Sequence, residues 1–373
     1  MSHNANTRTK LRSVWKIALL SAAAVMLLSA CNSNPKEESQ PEIPVAVETP
    51  VEEPATAEGE APYTAPLTGM PLEEPVTQRP LAVMINNAPA ARPQSGLGQA
   101  DIVVEVLAEG GITRLVGIYQ SQSGIDTIGP IRSIRPYLIE LGESYGGLLV
   151  HAGGSPEAYA IIQQQGKADL DEIGNAGAYF WRDSSRKAPH NLYASDEKLR
   201  EGADKLGYSS EVPIPEYTFY PSENAESGDA VAVSGAEGGE AAAKVELTFL
   251  LKNYVVGYEY DPEANVYKRT INGNPHIDLN DNEQLKASNV MVLGADHKVL
   301  DDVGRLAIDL ERGGEAMLFQ NGRAIKGQWV RAAGDVIRFV KDGQEVPFVP
   351  GTTYLNIVPN DPPFESHLTI TNP

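Results

Sequence analysis

The chain has 373 residues, with 30 Lys and Arg against 50 Asp and Glu, a net charge of −20. So acidic a chain lacks the basic face that nucleic-acid binding needs, and no nucleic-acid partner is expected. Cys31 is the only cysteine; it excludes an intrachain disulfide, and the cores must be large enough to stand without one.

The N-terminal segment reads as an export signal. Arg8, Lys10, Arg12 and Lys16 form a basic region, and Ile17 to Leu28 an apolar run too short for an ordinary membrane-spanning helix. Leu28-Ser29-Ala30-Cys31 then resembles a lipobox. That resemblance implies cleavage before Cys31, a lipid on its sulfur and acylation of the new amino terminus. Several acyl chains hold a protein firmly on a bilayer. The expectation is a protein anchored to the cell membrane, on its extracytoplasmic face, through a lipid on Cys31.

The division along the chain follows composition. Residues 1–30 are the signal peptide, and residues 31–64 a disordered acidic tether rich in Pro and Glu. From Asn32 to Tyr63 there are eight Glu and one Lys, a net of −7; so little apolar surface cannot offset the entropy of ordering. A first domain is expected over 65–221, an acidic linker or insertion over 222–243 and a second domain over 244–373.

In the first domain, short apolar runs at 81–85, 101–107, 113–119 and 147–151 read as buried strands. Helices are expected from Ser133 to Glu143 and from Ser155-Pro156 onward, each with its serine as cap, and from about Ser195 to Leu206. The fold class is therefore α/β: a layered first domain with a central sheet, followed by a β-rich second domain. The second domain carries expected strands at 244–250, 254–260, 266–271, 289–293, 306–310, 316–319, 327–330, 336–340 and 353–358, separated by turns such as Asn321-Gly322 and Asp342-Gly343.

The chemistry-bearing residues lie in the first domain. Arg92, Arg114, Arg132, Arg135 and Arg186 sit mostly in segments rich in Gly and Pro. Arginine presents a planar fork of donors suited to carboxylate and phosphate oxygens, and glycines let backbone amides approach an anion. Arg132 and Arg135 stand where a helix is expected to begin, which also favours an anion. These five arginines and Asn86, at a strand's end, are the candidate ligand-binding residues. The competing reading pairs each arginine with a nearby acid, among them Glu105, Glu109, Glu140 and Asp183. His151, His190 and Glu105 are the candidates for proton transfer. No histidine pair has helical metal-ligand spacing, so no metal is expected, and no cofactor is implied.

Several segments carry a resemblance: Ala91-Arg92-Pro93-Gln94-Ser95-Gly96-Leu97, Glu109-Gly110-Gly111-Ile112-Thr113-Arg114, Ile128-Gly129-Pro130-Ile131-Arg132-Ser133, His151-Ala152-Gly153-Gly154-Ser155 and Ala188-Pro189-His190-Asn191-Leu192-Tyr193. Together they resemble the YerB-like family of bacterial lipoproteins from about Ala65 onward, and Gly322 to Trp329 resembles the motif of that family's second domain. The resemblance implies an exported, lipid-anchored, two-domain protein. It implies no activity, because the family is known chiefly as a domain of unknown function.

Three functions follow: an envelope protein binding an anionic cell-wall or lipid-linked ligand through its Arg-rich loops; a phosphoester or glycan hydrolase or transferase acting on envelope polymers; and a scaffold that meets an envelope protein partner through the face around Trp329. Convergent arginines favour the first two, and arginines dispersed into salt bridges favour the third.

Overall fold

The computed structural model describes residues 63–221 and 238–372. The expected signal peptide, Cys31, nearly all of the expected tether and most of the expected linker lie outside them. The protein is sheet-rich, with 40% strand and 15% helix, and among the described residues no helix is long and apolar enough to cross a membrane.

The apolar runs of the first segment become β1 (Leu81–Asn86), β2 (Ile102–Leu107), β3 (Thr113–Tyr119) and β4 (Leu148–His151), each buried throughout. Such strands need apolar side chains on both faces, which is why the sequence shows runs rather than alternation. A three-residue strand, β5 (Asp169–Asp171), follows. The helices are α1 (Pro136–Glu143), α2 (Pro156–Gln165) and α3 (Asp196–Lys205). Ser155 and Ser195 cap α2 and α3, accepting from the amides of Ala158 and Lys198. Ser133 does not cap α1, as a start there would require. Arg135 is extended and precedes Pro136 at the first helical position, because a residue before proline is pushed out of the helical region.

In the second segment the strands are β6 (Lys244–Thr248), β7 (Val255–Asp261), β8 (Val266–Ile271), β9 (Asn289–Ala295), β10 (Gly314–Gln320), β11 (Arg323–Val330), β12 (Arg338–Lys341), β13 (Thr353–Pro359) and β14 (Leu368–Thr371). The expected linker ends earlier than its composition suggests, since Glu240–Ala241 pairs with Ala324 and Arg323 of β11.

The two segments share one twelve-stranded sheet. Its order runs β12-β11-β10-β9-β13-β2-β3-β1-β4-β5, with Gln344–Glu345 beyond β12. The junction is β13, which lies parallel to β2 on one side and to β9 on the other. A second sheet holds β8-β7-β6-β14. Its Val245, Leu247, Tyr258 and Tyr267 share one core with Val103, Leu115, Tyr119 and Tyr354 of the large sheet. The opposite face of the large sheet packs Met84, Val104 and Val116 against Tyr137, Leu138 and Leu141 of α1. Each such side chain contributes about 1.5–3 kcal/mol when fully buried.

Candidate functional site

Three arginines converge where β1 ends and β3 begins. Asn86 closes β1 directly opposite Arg114. The segment 128–135 runs beside them: Ile131 bridges Ile85, and the Arg132 amide donates to the Met84 carbonyl at 2.7 Å. Arg135 follows at the foot of α1 and pairs with Glu109 from the turn after β2. Arg114 is only 7% exposed, yet its Nε meets no hydrogen-bond partner. Neither Arg114 nor Arg132 makes a side-chain hydrogen bond or ion pair among the described residues. That is a costly arrangement, since an unsatisfied buried polar group costs about 1–3 kcal/mol and more when charged.

The electrostatics agree with the geometry. Burial, then the fields of Arg132 and Arg135, lower the Arg114 pKa to about 10. Burial and then Arg135 lower that of Arg132. Burial pushes the Glu109 carboxyl up, but its bond to Arg135 and the charges of Arg135 and Arg114 outweigh that and leave it below the usual carboxylate value. Among the described residues it is the carboxylate whose field opposes these arginines. His190 stands at the rim. The Asn86 side-chain amide donates to its Nδ1 at 2.9 Å, leaving the ring proton on Nε2. Burial, then Arg132, Arg114 and Arg186, hold it below the ordinary histidine value. The arrangement is a nearly uncompensated cationic cluster with a neutral imidazole beside it, suited to a phosphate or carboxylate.

The other candidates lie elsewhere. Arg186 donates to the carbonyls of Ala91 and Pro93, both at 2.7 Å, and so braces the 89–93 loop. Arg92 lies 4.9 Å from the Tyr254 ring centroid and lines a separate cavity of about 230 Å³ with Ile112, Thr113 and Leu251. His151 is fully buried. Its Nδ1 is 3.0 Å from the Gly153 carbonyl, and its Nε2 is 3.3 Å from Asp169 Oδ2 without the direction of a hydrogen bond. It touches the arginine cluster only through the backbone, where the Ala152 amide donates to the Arg132 carbonyl.

Glu105 lies deepest. It is wholly buried and paired with the equally buried Arg269 of β8. It also accepts from Thr113 Oγ1 at 2.7 Å and Tyr254 Oη at 2.6 Å. Arg269 donates Nε to His276 Nδ1, and His276 Nε2 meets Gln94 Oε1 at 2.7 Å. Burial depresses the Arg269 pKa, but Tyr258, Glu105 and Tyr254 more than restore it. This network joins the two segments, with Glu105 and Arg269 wholly shielded from solvent. The sequence reading missed Arg269. Its signal was an arginine at an inward position of β8, two residues from buried Tyr267.

The competing pairing is realised at Arg135, which meets Glu109, whereas Glu140 meets Arg331 of the second segment instead. Trp329 is 1% exposed and donates to the Gly294 carbonyl at 2.8 Å, so it belongs to the core. Among the described residues no group of three or more His, Cys, Asp and Glu is placed to hold a metal ion.

Comparison with known proteins finds matches in both segments. Residues 67–209 match the N-terminal domain of a protein family of unknown function (DUF3048), and residues 245–355 match its C-terminal domain. A relative from Bacillus subtilis (strain 168), "Putative lipoprotein YerB", is 38% identical over 299 residues, covering 79% of this chain and 86% of the relative. The crystal structure of the YerB protein from Bacillus subtilis superposes with a TM-score of 0.73 at 35% identity, covering 83% of this chain and all of that one. The chain belongs to the DUF3048 family, with both of its domains present and in order.

Proposed function

We propose that this is a lipid-anchored envelope protein of the extracytoplasmic membrane face that binds an anionic, phosphate- or carboxylate-bearing ligand between Arg114, Arg132 and Arg135. One observation carries the reading: a buried arginine without a hydrogen bond, beside two more arginines and a single opposing carboxylate. A fold has no stability reason to keep that arrangement, since an apolar residue in place of Arg114 avoids the desolvation. Anchoring rests on Cys31 in its lipobox context and on the name of the relative. The first segment is read as an α/β layer, with α1 covering one face of β1 and β3.

Should turnover accompany binding, His190 is the group placed to move a proton, because it stands at the arginines with a neutral ring. Glu105 and His151 are sealed in the core. The scaffold reading loses its contact residue with the burial of Trp329.

The test is a thermal-shift screen of the purified protein against inorganic phosphate, glycerol phosphate, phosphosugars and muropeptides. A ligand at about 100 times its Kd adds about 2.7 kcal/mol to stability. The expected shift disappears in Arg132→Ala. No shift with any of these ligands rejects the reading.

A further inference from the structure

The turn that supplies Glu109 to the arginine cluster is also where exposed apolar loop tips meet. A side chain at Gly111 would stand 3.1 Å from Leu251, and one at Gly304 would stand 4.0 Å from the Gly110 amide. Gly304 lies in the hairpin formed by His297–Val299 and Leu306–Ile308. Leu251 and the hairpin at Gly304 therefore adjoin residues 110–112, and Ile112, Leu250, Leu251, Val299, Leu300 and Val303 are the exposed apolar side chains of these segments. Val303 is 72% exposed, Val299 63% and Leu300 51%. These six are half of the twelve large apolar side chains exposed among the described residues. Single exposed apolar residues are ordinary, but a cluster rimmed by charge marks an interaction surface. The hairpin is held in place by Arg305, which pairs with Asp301 in its own tip and with Glu157 at the start of α2.

We infer that this face docks on an anionic lipid bilayer, with the apolar tips entering the interface and a lipid phosphate engaging Arg114, Arg132 and Arg135. The inference rests on the anion-site reading above and deepens it by naming the ligand's source. Two observations select a bilayer. The first is charge complementarity: apolar tips adjoin a cationic cluster with one opposing carboxylate, in a chain whose net charge is −20. The second is reach. Cys31 lies 32 residues before Tyr63, a stretch that spans at most about 115 Å, so a chain anchored at Cys31 can bring any face to the membrane that holds it. Anchoring also raises the local concentration of that surface, so weak docking suffices.

The test uses the chain from residue 31 onward carrying Cys31→Ser, so that no lipid can be attached. It is sedimented with vesicles of equal parts phosphatidylglycerol and phosphatidylcholine, and with vesicles of phosphatidylcholine alone. Binding to the anionic vesicles only is expected. The double variant Leu300→Asp, Val303→Asp should weaken partition about tenfold, equivalent to about 1.4 kcal/mol, while its thermal stability stays that of the parent because both positions are exposed. Asp302→Asn, which removes an acid from the tip, should strengthen it. Equal partition to both vesicle types, or a double variant that binds like the parent, overturns the inference. Soluble glycerol phosphate separates the two readings. A thermal shift with it but no vesicle binding sinks the docking surface and leaves the anion site standing, whereas silence in both assays sinks both.

Discussion

The Glu105 carboxylate on β2 and the Arg269 guanidinium on β8 meet with neither side chain exposed to solvent, and each belongs to a different family domain. Removing one partner strands the other. Glu105→Ala and Arg269→Ala should each destabilise the protein by about 3–5 kcal/mol, whereas replacing both together with Leu and Met should recover most of that loss. Urea unfolding of the two single variants and the double variant gives the coupling. Additive losses would show that the pair is not the joint described above.

Arg114 should behave in the opposite sense. Its Nε is buried without a partner, so Arg114→Met should raise the stability of the ligand-free protein by about 1 kcal/mol while abolishing the phosphate-induced thermal shift. A loss of stability would mean that the guanidinium has a structural duty.

Anion binding should be visible at His190. Its ring is held low by burial and then by Arg132, Arg114 and Arg186. An anion seated among those arginines offsets their field and raises the His190 pKa, so binding takes up a proton. Affinity should therefore rise as the pH falls through the interval between the free and bound values. Proton NMR of the imidazole with and without phosphate checks this. An unmoved titration in a phosphate-saturated sample would place the anion elsewhere.

His276 sets an acid limit on the fold. Burial, then Arg269 and Arg92, hold it well below the ordinary histidine value, so it is neutral when folded. The unfolded chain takes up this proton below about pH 6.5 and the folded one does not. Stability is therefore full above that pH and is lost as the pH falls, by up to about 1.4 kcal/mol per unit. His190 and His297 are shifted in the same direction. Denaturant midpoints that do not change between about pH 7.5 and 5.5 would contradict this.

Much of this was legible locally. The apolar runs at 81–85, 101–107, 113–119 and 147–151 announced buried strands, which form at 81–86, 102–107, 113–119 and 148–151 because both faces of those strands are covered. Composition picked out five arginines together; that Arg114, Arg132 and Arg135 are the three brought together follows from β1, β3 and the segment before α1 meeting at one end of the sheet. Arg92 and Arg186 shared the same composition signal but not the geometry, since the loops that carry them turn toward Tyr254 and toward backbone carbonyls. Glu105 looked chemical because a carboxylate interrupts an apolar strand, and its partner lies 164 residues away. No local pattern encodes that distance. The same holds for the pairing of β2 with β13 and for the alignment of the exposed tips around residues 109–112.

The position of β13 bears on how the molecule comes into being. Thr353–Pro359 sits between Ile102–Leu107 and Asn289–Ala295, so the middle of the large sheet is filled by a stretch of chain made long after the strand beside it. Everything translated earlier must wait with the edge of β2 open. Such distant pairings raise contact order and slow the search for the native state. An open apolar edge meanwhile invites association with other chains. A polypeptide built this way cannot close its large sheet until Thr353–Pro359 arrives, so loss of that one strand should be far more damaging than its length suggests.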